Sequence, residues 1–251
     1  MSALGKLINL AGLFPRRPKD VTWFWKTYRQ WQQAAPPEWQ ARLEDLRPCL
    51  EDRHDSAANA AQGHYFLQDL WAAQRVYRFK PDQHVDVGSR VDGFVAHVAS
   101  FCPVQYLDIR PLTTRVPGLT SLQGNLCQLP FPDKSVRSLS CLHVLEHVGL
   151  GRYGDPVEPQ AWLKGLGELQ RVLVPGGQLL MGTPCGRPRV AFHAHRVFDP
   201  AQIVAAMPEL KLQEFSLIDD GLSIAWREHV PLTAARELDF GCGLFVFTRP
   251  N

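Results

Sequence analysis

The spacing of apolar residues changes once along the chain, near Pro81. Upstream it is helical. Val21, Phe24, Trp25, Tyr28 and Trp31 fall on one face of a helix that Pro36 and Pro37 break. Trp39, Leu43 and Leu46 predict a second helix before Pro48, and the small polar residues of 52–63 predict a loop. Phe66, Leu67, Leu70, Trp71, Ala73 and Gln74 stripe a third helix, ending before Pro81. Downstream, short apolar runs alternate with helical stripes. Strands are predicted at 84–87, 104–109, 119–123, 136–144, 178–183, 211–218 and 244–248. Helices are predicted at 91–101, at 158–173, where Trp162, Leu166, Leu169 and Leu173 recur, and after Asp199, which caps a helix opening at Pro200. This alternation specifies an α/β architecture, a mostly parallel sheet with helices on both faces. Two parts are expected: a helical N-terminal extension, 1–80, and the sheet domain, 81–251.

With 251 residues and 45% hydrophobic positions, the chain can bury a core without disulfides or metals. It holds no apolar run of about 18 residues, the length a membrane-spanning helix needs. Residues 7–14 are apolar but lack the charged start and small-residue cleavage site of a leader peptide. Six scattered cysteines form no C-x-x-C pair, which fits free thiols in a reducing, cytoplasmic compartment. Charge is uneven: residues 1–80 carry a net +4, of which the first 30 supply more than all, and residues 81–251 carry −2. So modest a bias argues against nucleic acid as a partner. It leaves residues 1–30 as a solvated basic arm or a peripheral membrane contact. Nothing in the pattern sets an oligomeric state.

In an open parallel sheet, ligands sit beyond the carboxyl ends of the strands. The first strand ends in Asp86-Val87-Gly88-Ser89-Arg90, where glycine permits a tight turn and close approach of a ligand. The second ends at Asp108, a carboxylate able to accept from both hydroxyls of a ribose. The third is followed by Gly124-Asn125-Leu126 and the fourth by His143-Val144-Leu145-Glu146-His147. A dinucleotide site wants glycine where Arg90 stands, so that a diphosphate can touch the backbone. Arg90 is easier to reconcile with a nucleoside ligand that carries no phosphate.

The ordered series Asp86-Val87-Gly88, Asp108, Leu129-Pro130-Phe131-Pro132-Asp133, Leu145-Glu146-His147 and Arg171…Pro175-Gly176-Gly177 resembles the class I S-adenosylmethionine-dependent methyltransferases. The resemblance covers about 80–250. It implies a Rossmann-like methyltransferase fold with a seven-stranded sheet. The loop Gly149-Leu150-Gly151-Arg152-Tyr153-Gly154-Asp155-Pro156 and Ala194-His195-Arg196 resemble a narrower branch, largely catalogued as a domain of unknown function and associated with surface-polysaccharide biosynthesis. The resemblance implies S-adenosylmethionine as cofactor, with Asp86 supporting the Gly88-Ser89-Arg90 loop against its methionine part. Asp108 and Ile109 would meet the ribose, Asn125 and Leu126 would flank adenine, and His143 would lie near the methyl group. Two positions depart from the usual pattern: Arg90 replaces a glycine and Asn125 an aspartate.

Several residues carry two readings. H-x-x-E-H is also an inverted zinc-protease motif, but it requires a helix, and here it follows a strand and precedes Gly149 and Gly151. His143, Glu146, His147 and His195 could instead hold a divalent ion that activates an acceptor hydroxyl, or Glu146 and His147 could be a hydrogen-bonded pair below the pocket. Asp155 could act on the acceptor or organise a turn. Arg187, Arg189 and Arg196 could bind a phosphate or uronate, or be a solvated face. The expected activity is O-methylation of a saccharide or other small hydroxyl acceptor. His143 or His147 would be the base, with Asp155 and His195 behind them. The alternatives are a metal-dependent RNA 2′-O-methyltransferase and a non-catalytic cofactor-binding subunit. Residues 1–80 are expected to flank the acceptor pocket, with Trp71 near the cofactor end of the sheet.

Overall fold

The structure, a computed structural model, describes residues 18–43, 46, 63–110, 112–113, 115–219 and 225–251. The first 17 residues of the basic arm and all but the last residue of the expected 52–63 loop lie outside these. The chain divides into two compact units, 1–60 and 61–251. The division falls before the expected 80/81 boundary because the helix preceding Pro81 packs into the core of the larger unit.

In the first unit, helix α1 (Pro18–Ala34) is followed by a single tight turn, Pro37–Trp39. The second predicted helix lies partly outside the described residues; within them, Trp39 closes the first turn and the Leu46 amide meets Leu43 O at 3.5 Å. The chain there folds back on α1: the Trp31 indole donates to Trp39 O at 3.0 Å, and the Gln32 amide pairs with both backbone groups of Ala41.

The larger unit opens with α2 (His64–Phe79) and β1 (His84–Val87). The predicted helix at 91–101 is a wide turn, Val91–Val95, running into the short α3 (Ala96–Ala99). There follow β2 (Val104–Asp108), β3 (Leu119–Gln123), β4 (Val136–Leu142), a 3-10 turn at Leu145–His147, and α4 (Ala161–Val172). β5 (Leu173–Cys185) starts earlier than predicted, straight through Pro175-Gly176-Gly177. A hairpin that periodicity did not reveal, β6 (Arg189–Ala191) and β7 (His195–Val197), precedes α5 (Pro200–Ala205). The α5 N-terminus carries the expected Asp199 cap, completed by Gln202. β8 (Lys211–Ile218) and β9 (Gly241–Thr248) finish the sheet. Among the described residues no helix is long and apolar enough to cross a membrane.

The seven strands lie in the order β3-β2-β1-β4-β5-β9-β8, and β9 alone runs against its neighbours. Side chains alternate between two apolar layers, as strand geometry requires. Val85, Val87, Leu179, Met181, Phe245 and Phe247 face the layer under α4 and α5. Leu180, Leu244 and Val246 face the layer under α2 and α3, with Leu67, Trp71, Val76, Phe94 and Val98. Strand order reverses at β1, which pairs with both β2 and β4. That reversal opens a crevice beyond their carboxyl ends, the place where such sheets bind ligands.

Candidate cofactor and acceptor site

The loop after β1 is held from below by a buried polar chain. The Asp86 carboxylate accepts the Ser89 amide at 3.0 Å and the Ser89 hydroxyl at 2.6 Å, and the Ser140 hydroxyl donates to it as well. The His84 ring links Ser138 and Ser140, each at 2.8 Å. Burial pushes Asp86 up to about 6 and His84 down to about 3. Asp86 therefore supports the loop and does not line the crevice, and the Ser89 hydroxyl is spent, since it also accepts the Leu142 amide. Gly88 has φ +71, and a Cβ there would come within 3.1 Å of Val144. Glycine is thus required both by backbone conformation and by space.

Above this loop lies a chamber lined by Gly88, Leu107, Asp108, Ile109, Asn125, Leu126 and His143, among others. The Asp108 carboxylate is oriented by the Arg110 amide at 2.7 Å and the Tyr106 hydroxyl at 3.0 Å. Asn125 lines the wall, but its Oδ1 accepts the Cys127 amide at 2.9 Å. Its side-chain amine, a donor, is the group left for a ligand. The chamber adjoins an outer one, whose walls include Tyr65, Arg90, Asp92, Arg110, His143, His147 and Tyr153. Arg90 does not fill the inner chamber. Its guanidinium makes a bidentate pair with Asp92 at 3.1 and 2.7 Å and lies 4.9 Å from the Tyr65 ring centroid.

His143 stands where the chambers meet, at a backbone φ of +54 just past β4. Its Nδ1 meets Gln68 Oε1 at 2.5 Å, so Nδ1 carries the proton and Nε2 the lone pair. That Nε2 is buried and has no hydrogen-bond partner in the described structure. Burial, with His64, His147 and His195 nearby, holds the ring near a pKa of about 3. His147 is tied the same way: Nδ1 donates to Ala194 O at 2.7 Å, which turns its Nε2 toward Glu146 Oε1 at 3.7 Å. Burial lowers His147 to about 4 and raises Glu146 to about 8. The expected hydrogen-bonded pair is not made, and both Glu146 oxygens are buried without a partner. The segment is a 3-10 turn, so the zinc-protease helix is absent there.

The His195 ring packs on Phe240, with centroids 5.0 Å apart. Among the described residues no group of three His, Cys, Asp or Glu side chains is arranged to hold a metal ion, so His143, Glu146, His147 and His195 do not fit one. Asp155 accepts the amides of Gly149 at 2.8 Å, Gly151 at 3.4 Å and Tyr153 at 3.3 Å, which makes it the organiser of the 149–155 loop. The Arg187, Arg189 and Arg196 cluster dissolves. Arg187 and Arg189 pair with Asp239, and Arg196 is buried against the carbonyls of Val148 and Pro159.

Sequence reasoning missed Tyr65, Gln68 and Arg110. α2 runs so that its first turns, not Trp71, reach the ligand end of the sheet. Trp71 lies farther along, where its indole donates to Glu214 on β8 at 3.3 Å. The available signal was Gln68 itself, a polar residue inside an apolar stripe and 2% exposed.

Residues 134–217 match a family described as "Caenorhabditis protein of unknown function, DUF268". No curated protein matches the chain by sequence. Among solved structures, the chain resembles the N-methyltransferase NodS from Bradyrhizobium japonicum WM9 in complex with S-adenosyl-L-homocysteine, at 16% identity and a TM-score of 0.52 over 90% of this chain and 98% of that one. It also resembles the 1,6-didemethyltoxoflavin-N1-methyltransferase of Burkholderia thailandensis, at 13% identity and 0.53 over 80% and 82%. A third likeness is to the cyclase SpnF, at 12% identity and 0.51 over 72% and 81%. The fold is the expected Rossmann-like methyltransferase fold. Because a cyclase shares it, the reaction has to be argued from the site.

Proposed function

We propose that the protein is an S-adenosylmethionine-dependent methyltransferase acting on a hydroxyl group of a saccharide or other small acceptor. The observation that carries this reading is the paired chamber. A cavity walled by a carboxylate fit for a ribose diol shares His143 with a second, more polar cavity. Gly88 lets the loop turn beside the cofactor's amino-acid part, Asp108 would hold the ribose, and Leu126 with the Asn125 side-chain NH2 would face the base. When bound, the cofactor supplies a methyl group activated by a sulfonium sulfur.

The chain's own task is to align the acceptor and take its proton. His143 suits it better than His147, because its Nε2 has no hydrogen-bond partner, whereas the Nε2 of His147 is turned to Glu146. Its low pKa keeps the Nε2 lone pair bare throughout the neutral range. That Nε2 is closed off from solvent, so the ring would accept a hydroxyl's hydrogen bond only with the acceptor seated beside it, and would take the proton only as the nucleophile is consumed. Gln68 fixes the tautomer, while Asp155 and His195 position the surrounding loops. Tyr65 and Tyr153 line the outer chamber. A metal-dependent RNA reading has lost its motive with the ligand cluster.

Calorimetry with S-adenosylhomocysteine tests the reading. The protein binds it, and Asp108→Ala weakens binding by about 1.5–3 kcal/mol, the cost of removing a charged acceptor. Label from methyl-labelled cofactor then transfers to saccharide hydroxyls, and His143→Ala abolishes transfer while retaining binding. A wild-type protein that binds no S-adenosylhomocysteine sinks the proposal.

A further inference from the structure

Two guanidinium groups approach the ring of Tyr153, which together with Arg110 lines the outer chamber. Arg110 lies 4.8 Å and Arg152 5.2 Å from the Tyr153 centroid. They come from different segments, the turn after β2 and the 149–155 loop, and both are exposed. The negative face of the ring attracts both cations, and Arg110 also pairs with Asp108 at 3.3 Å.

The nearby carboxylates are already occupied. Asp92 is paired with Arg90. Asp108 takes the Tyr106 hydroxyl and only the Nε of Arg110, at 3.3 Å. Asp155 is turned into the backbone of its own loop. Glu146 is fully buried. On the basic side, Arg152 spends Nη1 on Ala194 O at 2.7 Å and on contact with His147. No hydrogen bond of the described structure uses the Nη groups of Arg110 or the Nη2 of Arg152. An anion entering here meets unspent guanidinium donors.

We propose that Arg110 and Arg152, spaced by Tyr153, form an anion clamp for the acceptor, so that the methylated hydroxyl belongs to a molecule bearing a carboxylate or phosphate group. The clamp rests on the reading of the outer chamber as the acceptor site. Planar guanidinium forks suit both anions, since each offers paired oxygens. The Tyr153 ring sets the spacing, and Asp155 holds that ring's backbone in place. The clamp would fix which end of the acceptor enters.

The test uses the full chain, with and without S-adenosylhomocysteine, at constant ionic strength. Inorganic phosphate, D-glucuronate and neutral D-glucose are each titrated while the melting temperature is recorded. A saturable rise with phosphate, glucuronate or both is expected, and none with glucose. Response to one anion alone identifies a phosphorylated or a carboxylated acceptor. Arg110→Gln and Arg152→Gln each weaken the response at least tenfold, and Arg152→Lys recovers part of it. Arg187→Gln, whose parent side chain is engaged with Asp239, leaves it unchanged. No saturable response to either anion, or equal responses in all variants, overturns the clamp. Failure to bind S-adenosylhomocysteine removes the cofactor reading instead, and the titration of the ligand-free protein still decides the clamp.

Discussion

Glu146 and the two histidines beside it exchange the usual order of protonation. Burial raises the carboxyl from 4.5 to about 8 and lowers His143 and His147 from 6.5 to about 3 and about 4. At neutral pH the acid holds its proton and both rings are bare. The stability consequence has a definite sign. A carboxyl whose folded pKa lies above its unfolded one contributes fully below the unfolded value and loses that contribution as pH rises to the folded one. Glu146→Gln, which cannot ionise, should match wild type near pH 4.5 and become increasingly the more stable form up to about pH 8. The gap should reach a few kcal/mol at most, on the scale of about 1.4 kcal/mol per pKa unit. Melting temperatures of both proteins across that range check it, and a constant gap would mean the carboxyl is ionised in the folded protein. The histidines act oppositely: their contribution is lost as pH falls below 6.5, so His143→Ala should flatten the acid limb of the stability curve.

The 149–155 loop shows what a short irregular element needs to be definite. Three backbone amides converge on Asp155, and Gly149 sits at φ +76 with room for no side chain, since a Cβ would meet Glu158 O at 2.1 Å. Gly149→Ala should cost about 1–2 kcal/mol from its backbone conformation alone, and more from the clash. A melting temperature within a degree of wild type would show that the loop gives way freely. Elements of this kind explain which parts were legible in the sequence. The strand ends with Asp86, Gly88 and Asp108 were readable because short apolar runs, buried on both faces, and a glycine mark them on the chain itself. The hairpin β6–β7 was not, because three-residue strands carry too little periodicity. The contact of Gln68 with His143 was not either, because it joins residues far apart in sequence and is set by the way α2 crosses the sheet. Asp155 was ambiguous since a turn organiser and a catalytic carboxylate look alike in sequence.

At the scale of the molecule, the sheet domain carries its own two cores, and both are supplied from residues after 63. A protein lacking residues 1–60 is therefore expected to fold and to bind S-adenosylhomocysteine with an affinity within a few-fold of the full chain. Loss of cooperative melting in that truncation would contradict it. Within the domain, one atom joins two parts of the acceptor wall. The carbonyl of Ala194, between β6 and β7, accepts from His147 Nδ1 and from Arg152 Nη1, each at 2.7 Å. Neither the hairpin nor the 149–155 loop can lift without stripping the other of a bond. Amide protons in the two segments should then exchange with deuterium at a shared opening rate, slowed together by any ligand that grips either one. Acceptor entry and product exit would wait on a single latch, and turnover could be timed by it.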